Sequence, residues 1–444
     1  MGERGLFDDL PEQPAPEKTR GAPRFQEACR DQVELRAVDL DGLIAADDPV
    51  RLVWAFTQSL DLSSLYAAIA AREGEPGRPP IDPKILMSLW LWATLRGIGS
   101  AREVDRLCRA EVTFQWLCGG VSVNYHTLAD FRVAHGALLD RLLSESVATL
   151  VEAGVVTLDR VALDGLRVRA SAGAASFRRK ARLEQLLAEA GALVSRLRRE
   201  VDDDPGAGRR RREAAQRRAA EERLARLEAA RRRLEALEAE RRRRERSNQS
   251  QTKKQGQPRA STTDAEARVM KMPDGGFRPA YNAEIASEPE SGVVLAVDID
   301  TTGSDRGWIG PMVEAVKDRF GRRPAEILTD GGFASNEDIE WAAGVGSAVF
   351  MPPTRSKHGG DPFAPRHDDR PGVTAWRQRM ASEAGQAIYR RRGLAERIHA
   401  GMREHGLTRL FVRGRAKARV VVLWHALANN FQCWLRLICV AAPA

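Results

Sequence analysis

What the chain lacks narrows its class before any motif is read. Cysteine is scarce: Cys29, Cys108, Cys118, Cys433 and Cys439 are scattered over 444 residues, odd in number and never in a Cys-x-x-Cys pair. That argues against a disulfide framework or a zinc finger, and points to buried thiols in a reducing compartment. Long apolar runs are missing too. The longest, Ile85 to Leu95 and Val420 to Leu427, fall short of the roughly 18 residues that a membrane span needs. Met1 to Asp9 carry no apolar stretch of a secretion signal, and Leu6 stands where a myristoylation motif after Gly2 wants Ser or Thr. The expected location is the cytoplasm, with no membrane partner.

What is present is enough apolar matter for real cores, 43% of residues, over a length that suggests two or three domains. Basic residues outnumber acidic ones by 70 to 61, giving a net charge of +9 and a pI near 9.6. A polyanion is therefore the expected partner, nucleic acid ahead of membrane.

The chain divides by pattern. Residues 1–35, rich in Pro, Gly and charge, read as a flexible lead-in. Residues 36–151 read as a run of short helices. Asp82 with Pro83 makes an N-cap and first-turn proline before Ile85 to Leu95, and Ser100 with Glu103 makes a capping box for the next helix. That helix aligns Arg102, Arg106 and Arg109 on one face, which suits either a helix-turn-helix-like module against DNA or an ordinary solvated surface. Strands follow, with Val155 to Leu163 and Leu166 to Ala170 expected as a hairpin turning at Asp164-Gly165. Residues 177–263 then interrupt the strand pattern with two long helical stretches and a polar linker. Ala220, Leu227 and Leu234 recur every seven residues, as do Ala230 and Leu237, which predicts an antiparallel helical hairpin. Between Arg209 and Arg246 stand 16 Arg against 8 Glu, a net of +8 and nearly the whole excess charge of the chain. Arginine tetrads at 209–212 and 241–244 leave phosphate contact and a protein partner both open.

Residues 152–176 and 264–444 together read as strand, strand, insertion, strand, helix, strand, helix, strand and two closing helices, with 354–384 as loop. That succession is what a ribonuclease-H-like α/β core requires. In such a core the first and fourth strands are neighbours. Asp164 lies on the first strand and Asp330 at the end of the fourth, in Thr329-Asp330-Gly331-Gly332-Phe333, while Glu396 lies on a later helix. Each has an ordinary reading alone: a hairpin turn, a helix cap, an ion pair. Asp305 is the alternative second acid, although Ser304-Asp305-Arg306 looks more like a cap with an ion pair. On the first of the closing helices Tyr389, Arg392, Glu396 and Arg403 follow at gaps of three, four and seven, which places them within an arc of roughly 60° on one face.

With these residues the sequence resembles the DDE transposases of bacterial insertion sequences, in the subgroup with a Tyr-x2-Arg-x3-Glu-x6-Lys signature. Arg403 stands where the family usually has Lys, exchanging a point charge for a planar fork. The likeness extends to Leu163-Asp164-Gly165, to Ile81 through Ile85, to Tyr125 through Arg132 and to Trp424 through Asn430. It implies catalytic carboxylates Asp164, Asp330 and Glu396 holding two Mg²⁺ ions, with Mn²⁺ as a substitute, for cleavage and strand transfer at the terminal repeats of a mobile element. It further implies phosphate contacts from Arg392 and Arg403, a phosphate or base contact from Tyr389, a helical end-binding region over 36–151, and a homodimer or larger synaptic complex near the nucleoid. A DNA-binding regulator or decayed copy that no longer cuts is the alternative.

Overall fold

The computed structural model describes residues 37, 39–71, 79–203, 210–247, 256–353 and 361–439. The expected lead-in, the break between the two long helices and the first arginine tetrad lie outside the described residues or side chains.

The N-terminal part is all helical: α1 Pro49–Ser59, α2 Ser63–Ala67, α3 Pro83–Leu95, α4 Ala101–Ala110, α5 Val112–Cys118, α6 Tyr125–Ala134 and α7 Gly136–Glu152. Helix α3 begins as its sequence directs, with the Asp82 carboxylate accepting from the Lys84 amide and Pro83 at the first position, where a missing N–H costs nothing. It is apolar nearly all round and buried from Ile85 to Thr94, so it forms the centre of the bundle. Trp90 Nε1 donates to the Leu128 carbonyl at 2.9 Å, which satisfies its one polar atom inside that core. The capping box is only half made. Ser100 accepts from the Glu103 amide, but the Glu103 carboxylate is taken by Arg106.

A mixed sheet of six strands follows. Strand β1 is Arg160–Arg169; β2 Phe177–Arg178 and β3 Ala260–Ser261 form a separate two-stranded pair; β4 Arg268–Lys271, β5 Phe277–Ser287, β6 Val294–Asp300, β7 Glu326–Thr329 and β8 Ala348–Phe350 complete the set. Strand β5 pairs antiparallel with β1 on one side and with β4 and then β6 on the other, while β7 and β8 run parallel to β1. The first expectation to fail is the hairpin. Asp164 and Gly165 lie in mid-strand, opposite Ile285 and Glu284, and a single strand runs through them.

Between β2 and β3 the chain makes helices α8 Lys180–Asp203 and α9 Arg210–Ser247, an antiparallel pair rooted on that small sheet. Their seam buries Leu183 and Ala190 against Leu227, Ala230 and Leu234, the residues that the seven-residue repeat singles out. Each buried Leu contributes about 1.5–3 kcal/mol, which is what holds two such polar helices together. The segment expected as a linker contains β3.

The second half supplies α10 Ile309–Phe320, α11 Asn336–Gly344, α12 Pro371–Ala381, α13 Glu383–Arg390, a 3₁₀ segment Arg391–Ala395, α14 Glu396–Glu404 and α15 Arg415–Trp434. Helix α12 corrects the expected loop over 354–384; it starts on Pro371 and buries Val373, Trp376 and Met380. Helix α15 ties the two halves together. Its Trp424 Nε1 donates to the Arg132 carbonyl at 3.0 Å, and its Asn430 side chain pairs with both the amide and the carbonyl of Val294 at 2.8 Å, extending the β6 edge. Asp140 of α7 accepts from Arg319 of α10 and Arg419 of α15. One continuous apolar core therefore runs from the N-terminal helices through α15 to the sheet.

Among the described residues no helix is long and apolar enough to cross a membrane. Cys118 and Cys433 are buried free thiols and Cys108 a half-buried one; Cys29 and the Cys439 side chain lie outside the described set.

Candidate active site

The site begins with sheet register. Strands β1 and β7 are parallel neighbours with Leu163 opposite Thr329, so the next residues along the two strands, Asp164 and Asp330, emerge side by side. Adjacent strands are about 4.8 Å apart, and the two carboxylates feel each other: Asp330 helps raise the Asp164 pKa. Burial is the larger cause of that rise, and Arg392 opposes it. Asp330 directly follows β7 and caps the turn Gly331–Phe333, its Oδ1 accepting from the Gly332 amide at 2.7 Å.

Asp164 is held from two directions. Its Oδ1 accepts from the Gly165 amide at 2.9 Å and its Oδ2 from Arg392 Nη1 at 3.1 Å, with His399 Nδ1 3.7 Å from the same oxygen. Burial, reinforced by Arg403 and Arg392, lowers the His399 pKa to about 4, so this imidazole is neutral near pH 7 and acts as packing behind Asp164. The sequence reading missed His399. Its position three residues after Glu396, on the same helical face, was the available signal.

The signature residues do not share one regular helix. Tyr389 lies in the last turn of α13, Arg392 in the 3₁₀ segment, and Glu396 opens α14 with Arg403 in its last turn. The tighter 3₁₀ winding breaks the 100° phase on which the 60° arc depended. Arg392 is nonetheless the hub. Its Nη2 lies 3.7 Å from Glu396 Oε1, so one guanidinium bridges the first and third acids, and the Tyr389 phenol interacts with it as well. Glu396 is 68% exposed and reaches the strand acids only through this bridge among the described contacts. Tyr389 is half-buried against the core, and Arg403 is exposed.

The structure also brings in Asp305. A side chain at Gly165 would meet Asp305 Oδ1 at 2.5 Å and Asn282 Nδ2 at 2.6 Å, and one at Gly332 would meet Asp305 Oδ2 and Asp330 Oδ1, each at 2.9 Å. A methyl at either glycine would therefore force these carboxylate and amide ends to move, and the expected Asp305-Arg306 ion pair does not form among the described residues. Asn282 Nδ2 instead donates to Asp305 Oδ1 at 2.5 Å and to Glu284 Oε1 at 2.6 Å. Burial, then Asp305 and Asp300, push the Glu284 pKa up to about 9, which keeps this acid neutral near pH 7. Asn282 and Glu284, both on β5, were invisible as site residues in the sequence because only strand pairing sets them opposite Arg167 and Gly165.

The donor set is carboxylate oxygen alone, which suits a hard divalent cation and not zinc. Among the described residues no three His, Cys, Asp or Glu side chains are gathered tightly enough to hold a metal as they stand. Protein donors occupy them instead: Arg392 and the Gly165 amide on Asp164, the Gly332 amide on Asp330, Asn282 on Asp305.

On the α4 face, Arg102, Arg106 and Arg109 are all exposed. Arg102 stacks over the Tyr125 ring at 5.0 Å, while Arg106 pairs with Glu103 at 2.6 Å and Arg109 with Asp105 at 2.7 Å.

Two family models match the chain: a transposase domain (DUF772) over residues 38–134, which includes the α4 arginines, and a transposase DDE domain over residues 250–431, which includes Asp305, Asp330 and Glu396. No curated protein and no solved structure matches. One match falls on the helical part and the other on the second half of the chain, and together they support a DDE transposase of an insertion sequence.

Proposed function

We propose that this transposase binds the terminal inverted repeats of its mobile element and cuts and joins DNA there through Asp164, Asp330 and Glu396, on a ribonuclease-H-like core. DDE transposase domains act on DNA and depend on a divalent metal. The observation that carries the reading is the parallel register of β1 and β7, which sets Asp164 beside Asp330. The β6-β5-β1-β7-β8 strand path supports the choice of core, with residues 152–176 and 264–444 as catalytic domain, 36–151 as end-binding region and 177–263 as an inserted arm.

Asp164 and Asp330, joined by Glu396, would hold two Mg²⁺ ions, or Mn²⁺ in their place. Such a pair activates water or a 3′-hydroxyl and stabilises the leaving oxygen of an in-line phosphodiester displacement. Arg392, which pairs with Asp164 and lies 3.7 Å from Glu396, would offer its guanidinium to a DNA phosphate beside these acids. Arg403, exposed at the end of α14, supplies a second phosphate contact, and Tyr389 orients Arg392. His399, neutral and buried, keeps Asp164 from turning away. Assembly of two DNA ends calls for a homodimer or larger complex.

The test is incubation of the purified chain with a plasmid carrying the native flanks of its gene, in Mg²⁺ or in EDTA, with mapping of new 3′ ends. The proposal expects Mg²⁺-dependent cuts at a repeat boundary. Binding to the flanks without cuts, under conditions that support strand transfer, would refute the catalytic part.

A further inference from the structure

We infer that Asp305 is a fourth carboxylate of this site and a direct oxygen donor to the cation held by Asp164 and Asp330. The inference rests on the reading of those two aspartates as cation ligands and adds a residue to it.

Three observations converge. First, Asp305 is wedged between the backbones that carry the other two acids: Oδ1 lies over Gly165, next to Asp164, and Oδ2 lies over Gly332, two residues after Asp330. Asp305 Oδ2 and Asp330 Oδ1 come within 2.9 Å of one and the same point above Gly332. A residue serving only as a helix cap does not need one glycine cleared on β1 and another in the turn after β7. Nor does Asp305 cap α10, whose N-cap residue is Trp308 with no side-chain hydrogen bond.

Second, the carboxylate is aimed by a buried clamp. Asn282 and Glu284 are each 1% exposed, and a single Asn282 amide nitrogen serves both Asp305 and Glu284. Asn282 Oδ1 lies 3.1 Å from the space above Gly165 and has no hydrogen-bond partner. Buried polar atoms without partners are costly, and at a cation site they are oxygens left for the ion or its water. Third, only one oxygen of Asp305 is engaged: Oδ1 accepts from Asn282, and no donor among the described residues is bonded to Oδ2, the oxygen facing Asp330.

The geometry thus favours Asp164, Asp305 and Asp330 as the rigid part of the donor set, fixed by sheet and clamp. Glu396, exposed and tied to Arg392, is the part that joins when DNA is present.

Mn²⁺ alone is the probe, titrated into the full-length chain without DNA and followed by the loss of the free-ion EPR signal. Asp305→Asn is expected to weaken Mn²⁺ binding by about tenfold or more, the scale on which disturbing a metal's ligand set acts, and Asp330→Asn to do the same. If Asp305→Asn binds like the unaltered chain while Asp330→Asn does not, the inference is overturned and the reading of Asp330 stands. If neither variant loses affinity, the strand aspartates are not the ligands and both ideas fall. A second measurement needs no variant: the unaltered chain loaded with Fe²⁺ and treated with ascorbate and peroxide should be cut beside residues 303–306 as well as beside 164–165 and 330–332. Cuts at the latter two segments without the first would overturn the assignment of Asp305.

Discussion

Under the proposed function, the strand aspartates and the signature segment would serve the same chemistry, and the fold holds them by opposite means. Asp164 and Asp330 are fixed by backbone pairing, since Leu163 opposite Thr329 leaves their neighbours no choice but to emerge together. Tyr389, Arg392, Glu396 and Arg403 depend on helical phase, and a five-residue 3₁₀ segment interrupts that phase. The difference shows in exposure: the Asp164 side chain is 17% exposed, Glu396 68%. If these acids hold a cation as proposed, the strand pair is placed beforehand by backbone pairing, whereas the acid on the broken helix is free to arrive late.

The largest effect that would break this comparison is on catalysis. Asp164→Asn and Asp330→Asn should each abolish metal-dependent cleavage of the element's ends, by about three orders of magnitude or more, because a neutral amide cannot replace a carboxylate ligand. Glu396→Gln should also lose cleavage, yet keep most of its DNA-free Mn²⁺ affinity, while Asp330→Asn loses both. Equal Mn²⁺ loss in all three would mean that the helix acid is as organised in advance as the strand acids.

Next in size is a packing effect. Gly165→Ala places a methyl where Asp305 Oδ1 and Asn282 Nδ2 already stand, at 2.5 and 2.6 Å. Overpacking of this kind typically costs about 1–3 kcal/mol, so thermal unfolding should shift down by several degrees. Gly393→Ala, in the 3₁₀ segment with open space around it, should be close to neutral. A tolerated Gly165→Ala would mean that the wedge of Asp305 between the strands is not tight.

A pH effect separates the sheet cluster further. Glu284 titrates at about 9 in the folded chain against 4.5 as its ordinary value, so between those limits the folded state binds the extra proton. Its contribution to stability is then full below pH 4.5 and is lost as pH rises toward 9. Glu284→Gln, which stays neutral, should flatten that decline in a series of thermal melts; an unchanged slope would place the titration elsewhere.

The smallest effect belongs to the α4 face. Arg106 and Arg109 already pair with Glu103 and Asp105, so Arg106→Ala should reduce the salt dependence of DNA binding by no more than about one counterion. A larger change in the measured slope would make α4 a primary contact surface.

Much of this was legible in advance where a residue's partner is local or periodic. The Asp82-Pro83 cap, the Leu227 and Leu234 seam and most strands of the second half follow from neighbours within one or two turns. The setting of Asp164 was read in part mistakenly. Asp-Gly is the favoured hairpin pair, but Gly165 here clears room for Asn282 and Asp305 and the strand continues. Long-range pairing was not legible: Asn282 and Glu284 become site residues only because β5 lies against β1, and His399 only because α14 packs behind Asp164. Helix α12 was hidden by its proline and glycine start, which reads as loop until Trp376 is seen buried. Asp305 looked like a cap because its sequence neighbours are those of a cap, and nothing local reports the two distant glycines beneath it.

The most direct measurement is the position of a bound cation. Crystals of the full chain soaked in Mn²⁺ and examined by anomalous scattering should show a peak contacting carboxylate oxygens of Asp164 and Asp330, where the pairing of β1 with β7 stops. A peak elsewhere at saturating Mn²⁺, with these two aspartates still bound only to Arg392 and backbone amides, would contradict the account.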